Sequence, residues 1–357
     1  MIPLPRENTP VWDGKEVLEC VSVIPEAPDV KTYTFRPPSG ATFVFRAGQF
    51  LTFELPVPGG PLYRTYSISS SPTSTAYVSI TVKALPGSVG TRWVLDNLVP
   101  GMRLKATGPA GVFHLPRQPD DKYLFLAAGT GVTPLMSMLT VMYERGEEPD
   151  VSFVLAAKRP SQLTFRRRLE FMSTRCPGIK LHFVVSEDDP YEVWTGYRGR
   201  FNQLMLGLMT PDYLDRHIYC CGPEPFMQTV RDALISLGFD MDKYHQETFA
   251  APVTRVEDIE IPDDVVPSDT ATAEIVFAQS GKSATCSETD TILSVAKSAG
   301  LNIANGCNFG VCGTCKVKKL EGEVHMVHNG GISEEDIEAG YILTCCSNPI
   351  GKVIVDI

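Results

Sequence analysis

Long apolar runs are missing from this sequence of 357 residues. The longest, around Tyr123–Ala128, falls far short of the roughly 18 residues that a membrane helix needs, so neither a spanning segment nor a membrane partner is expected. The opening residues, MIPLPRENTPVWDGKE, hold no basic stretch leading into an apolar one, which argues against an export signal. Positive charge is in deficit: 32 Lys and Arg stand against 42 Asp and Glu, a net charge of −10. A phosphate surface would be repelled, which excludes nucleic acid as a partner class. Ten cysteines without an export signal do not make a disulfide framework, and a reducing cytoplasm is the expected compartment. Cys20, Cys176 and Cys286 read as ordinary small hydrophobes.

Four of the remaining thiols carry chemistry. In Asn305–Cys315, NGCNFGVCGTC, the residues Cys307, Cys312 and Cys315 stand in the spacing C-x4-C-x2-C, and a fourth thiol follows downstream in the LTCC run ending at Cys346. This is the plant-type spacing of a [2Fe–2S] cluster. Zinc also takes four thiolates, but it favours paired knuckles on two separate loops, and here three thiols share one loop. A Rieske centre needs two His ligands, and no C-x-H pairing is present to supply them. Such a cluster moves one electron at a time, so the rest of the chain must hold the source of electrons.

From about Gly14 to residue 118, short β-rich segments separated by Pro and Gly clusters predict a small antiparallel barrel. Two features rise above this pattern. In Arg64-Thr65-Tyr66-Ser67 a guanidinium fork can grip a pyrophosphate, a Tyr can lie against an aromatic ring, and a Ser hydroxyl can bond a ring nitrogen. In Gly87-Ser88-Val89-Gly90-Thr91 a glycine-rich turn leads into a short helix opened by Gly90 and Thr91, where free amides favour phosphate. Either feature alone is ordinary surface sequence.

Residues 119–250 alternate strands and helices, the pattern of a doubly wound parallel sheet. Tyr123–Ala128 reads as a strand covered on both faces. The turn that follows, Gly129-Thr130-Gly131-Val132-Thr133-Pro134, fails the G-x-G-x-x-G fingerprint yet can still present amides to a pyrophosphate, with Thr133 as helix cap and Pro134 at the first helical position. A second loop, Cys221-Gly222-Pro223, ends a later strand; ligands of such sheets bind beyond the carboxyl ends of the strands. The strand end Ala157-Lys158-Arg159 lacks the acidic residue that usually takes a ribose 2′-hydroxyl. Residues 251–272 are rich in Pro and acid and read as a linker; 273–357 read as strands around one helix, Asp290–Gly300, carrying the cysteine loop.

R-x-Y-S, G-T-G-x-T-P and C-G-P-x-P-F-M, in this order, resemble the ferredoxin–NADP reductase superfamily, and the added cysteine loop makes the chain similar to the three-domain reductases of Rieske-type oxygenases. The resemblance covers nearly the whole chain. It implies an antiparallel β-barrel flavin domain, an α/β doubly wound nicotinamide domain and a β-grasp ferredoxin domain. It implies that Arg64, Thr65, Tyr66 and Ser67 hold the flavin, with Thr81, Val82, Lys83, Gly90 and Thr91 assisting. Gly129, Thr130, Gly131, Thr133, Pro134 and Cys221, Gly222, Pro223 would flank NADH or NADPH. Glu247 and Phe249 would approach the flavin edge. Ser67, Cys221 and Glu247 are the expected catalytic set. Gly108–Phe113 is similar to the FAD-using branch, so FAD is expected rather than FMN. The L-T-C context is similar to ferredoxins at Cys345, with Cys346 the alternative fourth ligand. NADH is the expected donor, NADPH the open alternative. The implied acceptor is a Rieske-type monooxygenase acting on a quaternary ammonium compound such as glycine betaine. Two alternatives are a reductase for another metalloprotein, such as a hybrid-cluster protein, and a ferredoxin-like binding or assembly module with an inert flavin domain.

Overall fold

A computed structural model describes residues 10–14, 16–116, 122–146, 149–249, 267–268, 271–306, 308, 310, 312–328 and 331–357. The chain divides into two compact units, the first holding two sheets and the second holding one.

The first sheet has six strands: β1 (Val17–Ala27), β2 (Val30–Arg36), β3 (Phe50–Val57), β4 (Gly60–Ser67), β5 (Val78–Lys83) and β6 (Arg103–Ala110), in the order β4-β3-β6-β1-β2-β5. Pairing of β1 with β2 and β6, and of β2 with β5, is antiparallel. Inward positions of these strands, among them Leu18, Tyr33, Phe35, Phe53 and Ile80, close one apolar core. Helix α1 (Val89–Asn97) covers it with Val94 and Leu95.

The second sheet comprises β7 (Lys122–Ala128), β8 (Asp150–Ala157), β9 (Ile179–Val185), β10 (Tyr197–Arg198), β11 (His217–Cys221) and β12 (Tyr244–Glu247), ordered β10-β9-β8-β7-β11-β12 and wholly parallel. Helices α2 (Val132–Glu144), α3 (Arg166–Arg175), α4 (Gln203–Met209) and α5 (Glu224–Ser236) connect the strands. The central strand β7 is apolar throughout because it is covered on both sides, Phe125 facing one core and Leu124 and Leu126 the other. Ala47, Phe113 and Leu115 of the first region pack into the same core as Phe125 and Met138, which makes the two sheets one unit. The chain order reverses between β7 and β11, and that is where such sheets receive ligands.

The third sheet, in the second unit, consists of β13 (Thr272–Phe277), β14 (Lys282–Ser287), β15 (Lys316–Met326), β16 (Tyr341–Leu343) and β17 (Ser347–Val355), ordered β14-β13-β17-β15-β16. Helix α6 (Ile292–Ser298), capped by Thr291, buries Ile292, Leu293, Val295 and Ala296 against it, and a short α7 (Glu334–Glu338) precedes β16. Among the described residues no helix is long and apolar enough to cross a membrane.

Candidate functional site

Strand β4 carries Arg64, Thr65, Tyr66 and Ser67 on consecutive positions. Alternation turns Ser67 inward, and its hydroxyl lies 3.4 Å from Oε2 of Glu247 at the end of β12. Burial pushes the Glu247 carboxyl up to about 8, against the smaller pull of the Ser67 hydroxyl. The acid therefore holds its proton at neutral pH and is a hydrogen-bond donor as well as an acceptor. Tyr66 is half-buried with its ring 6.3 Å from Phe53. Arg64 donates to the Tyr63 carbonyl at 2.7 Å, which folds its guanidinium back along the strand. Phe249, two residues beyond β12, is largely exposed.

Two of the other expected flavin residues turn their side chains into the barrel. Thr81 is buried with its hydroxyl shared between Thr32 (2.8 Å) and Ser69 (2.9 Å), because β2 and β5 place Thr32 directly opposite it. Val82 lies in the barrel core, and Lys83 is partly exposed at the strand end. Helix α1 begins at Val89 rather than at Gly90 and Thr91: the Ser88 hydroxyl caps it by accepting the Thr91 amide at 3.4 Å. The Thr91 hydroxyl accepts the Leu85 amide at 3.0 Å. Both polar groups of Thr91 therefore serve the turn, whose fixed shape sets which neighbouring amides stay open.

On the nicotinamide side, Gly129–Gly131 form one 3₁₀ turn and α2 starts directly after it. Thr133 is not the cap. The turn has already brought the chain into helical geometry, so Thr133 sits inside the first helical turn with its hydroxyl donated to the Thr130 carbonyl at 2.9 Å, and Pro134 follows at the third position. A Cβ on Gly131 would lie 2.1 Å from the Cys221 carbonyl oxygen, a distance no side chain tolerates. The loops after β7 and β11 therefore meet backbone to backbone at the switch point, and glycine is what allows it. Gly222 lies against Ala128 and Phe226. Pro223 is the extended residue before α5. Cys221 is fully buried, and desolvation raises its thiol far above the ordinary range, so it is a neutral wall and not a nucleophile.

In the second unit Cys312, Cys315 and Cys345 are all buried. A hydrogen bond from the Cys345 thiol pulls Cys315 below the usual thiol range despite its burial. Cys346 instead donates to the Leu343 carbonyl, with sulfur 3.6 Å from oxygen. Gly310 adopts φ 73°, and a Cβ there would come 2.8 Å from Cys346 Sγ and 2.9 Å from His328 Cα. The loop is wrapped too tightly for any side chain at that point. Cys307 lies outside the described residues, as does most of the expected linker. Among the described residues no three His, Cys, Asp or Glu side chains close into a metal-sized group. Buried thiols with no charged competitor in the loop between Cys312 and Cys315 fit a [2Fe–2S] cluster.

An acidic side chain from the next strand stands beside the end of β8. Glu187, just past β9, donates its amide to the Lys158 carbonyl at 2.7 Å, and its carboxylate lies 3.3 Å from Arg159 Nε.

Three family models match in sequence: an oxidoreductase FAD-binding domain over residues 19–115, an oxidoreductase NAD-binding domain over 125–232 and a 2Fe-2S iron-sulfur cluster binding domain over 276–349. Fold and sites thus define an oxidoreductase of the flavin and iron–sulfur reductase class. The chain is 58% identical over 345 residues to the stachydrine N-demethylase reductase subunit of Rhizobium meliloti, covering 97% of each chain. It is 41% identical to the glycine betaine monooxygenase reductase subunit of Pseudomonas aeruginosa, covering 98% of this chain and 97% of that one. Phthalate dioxygenase reductase has the same fold, with a TM-score of 0.59 and 24% identity over 97% of this chain and 98% of that one. The chain belongs to the family of these two monooxygenase and demethylase reductase subunits.

Proposed function

We propose that this chain takes a hydride from NADH and passes single electrons through FAD and a [2Fe–2S] cluster to a Rieske-type oxygenase in the cytoplasm. The oxygenase substrate is a quaternary ammonium compound of the stachydrine or glycine betaine kind, which both family members name. The domains run 14–118 for FAD, 119–250 for nicotinamide, 251–272 as linker and 273–357 for the cluster. Bound flavin supplies the exchange between a two-electron donor and a one-electron acceptor.

The observation that carries this reading is the Ser67–Glu247 contact, because it brings the end of the R-x-Y-S strand to the carboxyl edge of the parallel sheet. Arg64, Thr65 and Tyr66 hold the flavin along β4. Gly90 and the turn braced by Thr91 shape the phosphate end, with Lys83 adding charge. Thr81 and Val82 act through their backbone, since both side chains are engaged inside the barrel. Gly129 to Pro134 and Cys221 to Pro223 orient the nicotinamide, Cys221 as an apolar wall. Ser67 and the protonated Glu247 form a hydroxyl and carboxyl pair able to hold a proton beside the reacting ring, with Phe249 screening the edge. Cys307, Cys312, Cys315 and Cys345 hold the cluster.

Anaerobic titration of the purified chain with NADH tests the whole reading. Flavin bleaching accompanied by a rhombic low-temperature EPR signal is expected. Bleaching without that signal would sink the cluster assignment, and no bleaching would sink the electron source. Ser67→Ala is expected to slow flavin bleaching about tenfold to a hundredfold. Nicotinamide affinity should change far less, and stopped-flow traces across NADH concentrations separate the two. A loss confined to affinity would remove Ser67 from the reacting set.

A further inference from the structure

Helix α2 is buried along almost its whole length and is mostly apolar, so its few hydroxyls stand out. Thr133 donates to the Thr130 carbonyl at 2.9 Å and Thr140 to the Met136 carbonyl at 2.6 Å, so both bonds stay within the helix or the turn before it. Ser137, with no exposed surface, is the exception. Its hydroxyl leaves the helix for the barrel region and donates to the Ser70 carbonyl at 2.6 Å. Glu144 lies seven residues further on, hence on the same helix face, and accepts from the Thr73 hydroxyl. Two polar groups on one face of α2 thus hold one short segment, Ser70 to Thr73. That segment follows closely on the Arg64–Ser67 end of β4. It is also fixed from the barrel side. The Ile68 amide donates to the Gln49 carbonyl and the Ser69 amide to the Ser79 carbonyl, both at 2.8 Å. The Ser70 hydroxyl accepts the Ser79 amide at 3.0 Å.

We propose that Ser137 is a positioning residue for hydride transfer, its bond to the Ser70 carbonyl setting the separation between the flavin strand β4 and the nicotinamide turn Gly129–Gly131. The inference rests on the proposed reaction. Ser137 stands six residues past Gly131, about 9 Å along the helix at 1.5 Å per residue. On the other side, Ser70 stands three residues past Ser67, whose hydroxyl meets Glu247. The hydrogen bond therefore joins two short arms that end at the proposed reacting groups. The helix transmits a shift rather than absorbing it, because Leu135, Met136 and Met138 are packed with no exposed surface and Gly131 is closed on the Cys221 carbonyl. Hydride passes between atoms held about 3–3.5 Å apart, and a misplacement of about 1 Å costs up to about a hundredfold. Apolar packing holds two elements together without direction, whereas a hydrogen bond has a length and an angle. That constraint is what the buried hydroxyl adds to the seam.

The test uses the flavin- and cluster-loaded full chain as wild type, Ser137→Ala, Ser137→Cys and Thr73→Val. Stopped-flow mixing across NADH concentrations gives the limiting rate of flavin bleaching and the apparent Kd. The long-wavelength charge-transfer absorption in the same traces reports how the two rings face each other. Flavin content and thermal midpoint report folding. Ser137→Ala is expected to slow the limiting rate about tenfold and weaken the charge-transfer band, with Kd within about twofold of wild type. Ser137→Cys fills the same space with a weak donor and should stay nearly as slow. Thr73→Val, at the exposed outer contact, should change the rate by less than about threefold. An unchanged rate and band in Ser137→Ala, or a loss confined to Kd, overturns the inference and leaves the proposed function standing. Full recovery in Ser137→Cys overturns it as well, since the site would then need volume and not a donor. Loss of flavin or of folding in both Ser137 variants does the same, by making the residue one of stability alone. If NADH does not bleach the wild-type flavin, the proposed function falls and takes this inference with it.

Discussion

Replacing Cys345 by Ala is expected to remove the reduced-cluster EPR signal and to cut electron delivery to the oxygenase component by at least about a hundredfold, since even changes outside the ligand set cost ten- to a hundredfold in metal affinity. Ferricyanide reduction by NADH should stay within about twofold, because the flavin alone serves that acceptor. The argument turns on the two adjacent thiols. Cys345 and Cys346 share the 3₁₀ turn Thr344–Cys346 between β16 and β17, and spacing alone does not choose between them. Burial and bonding favour Cys345. Cys345 is 7% exposed with its thiol on Cys315, whereas Cys346 is directed to the Leu343 carbonyl. Cys346→Ala should therefore keep the signal and the transfer rate. A reversed outcome, with Cys346→Ala losing the cluster, would move the fourth ligand by one residue. Equal loss of ferricyanide reduction in Cys345→Ala would mean that the first unit depends on the cluster for its integrity.

What could be read from the sequence was what a local pattern encodes. The continuous apolar run of β7 reports a strand covered on both faces, and the glycines after it report a turn where backbones approach. The cysteine spacing reports a cluster because one loop must reach around it. Polar side chains whose partners are set by strand neighbours were not legible. Thr32, on β2 opposite Thr81, takes its hydroxyl and is one such partner. Thr133 had the residue type of a cap, yet a 3₁₀ turn displaced the helix start. The strand end Ala157-Lys158-Arg159 carries no acid of its own, and sheet order sets Glu187 of the next strand beside it. Apart from the local turn before Thr133, the reason is register: hydrogen bonds between strands join residues far apart in sequence, and a one-dimensional pattern carries no register.

Arg216 is the extreme case, and its removal is expected to have the largest effect on stability. It stands just before β11 with its side chain 0% exposed, an unusual burial for a guanidinium. Asp212 grips it bidentately, Nε to Oδ1 at 2.9 Å and Nη2 to Oδ2 at 2.8 Å, and Asp150 Oδ1 lies 2.9 Å from Nη2. Its Nη1 donates to the carbonyls of Tyr123 (3.1 Å) and Asp150 (3.2 Å). One side chain thus ties together the amino ends of β7, β8 and β11, opposite the loops proposed to receive the nicotinamide. Removing the guanidinium leaves the carbonyls of Tyr123 and Asp150 without their donor and the two partly exposed carboxylates without their cation, so Arg216→Ala should destabilise the first unit by about 2–4 kcal/mol. Arg216→Met, which refills the volume, should cost less but still strand the two carboxylates. The pH dependence follows from Asp212, whose carboxyl the Arg216 hydrogen bonds pull down to about 2. A depressed folded-state value gives stability that is fully present above the ordinary carboxylate range near 4 and lost as pH falls through about 2. Thermal midpoints of the loaded full chain should therefore differ between wild type and Arg216→Met at pH 7, and the difference should shrink as pH falls from about 4 to about 2. At 25 °C the rate of NADH-driven ferricyanide reduction should be unchanged, because the network lies at the far end of the strands from the reacting groups. A midpoint shift that is absent at pH 7, or that persists undiminished at pH 2, would show that the network does not hold the sheet as its geometry requires.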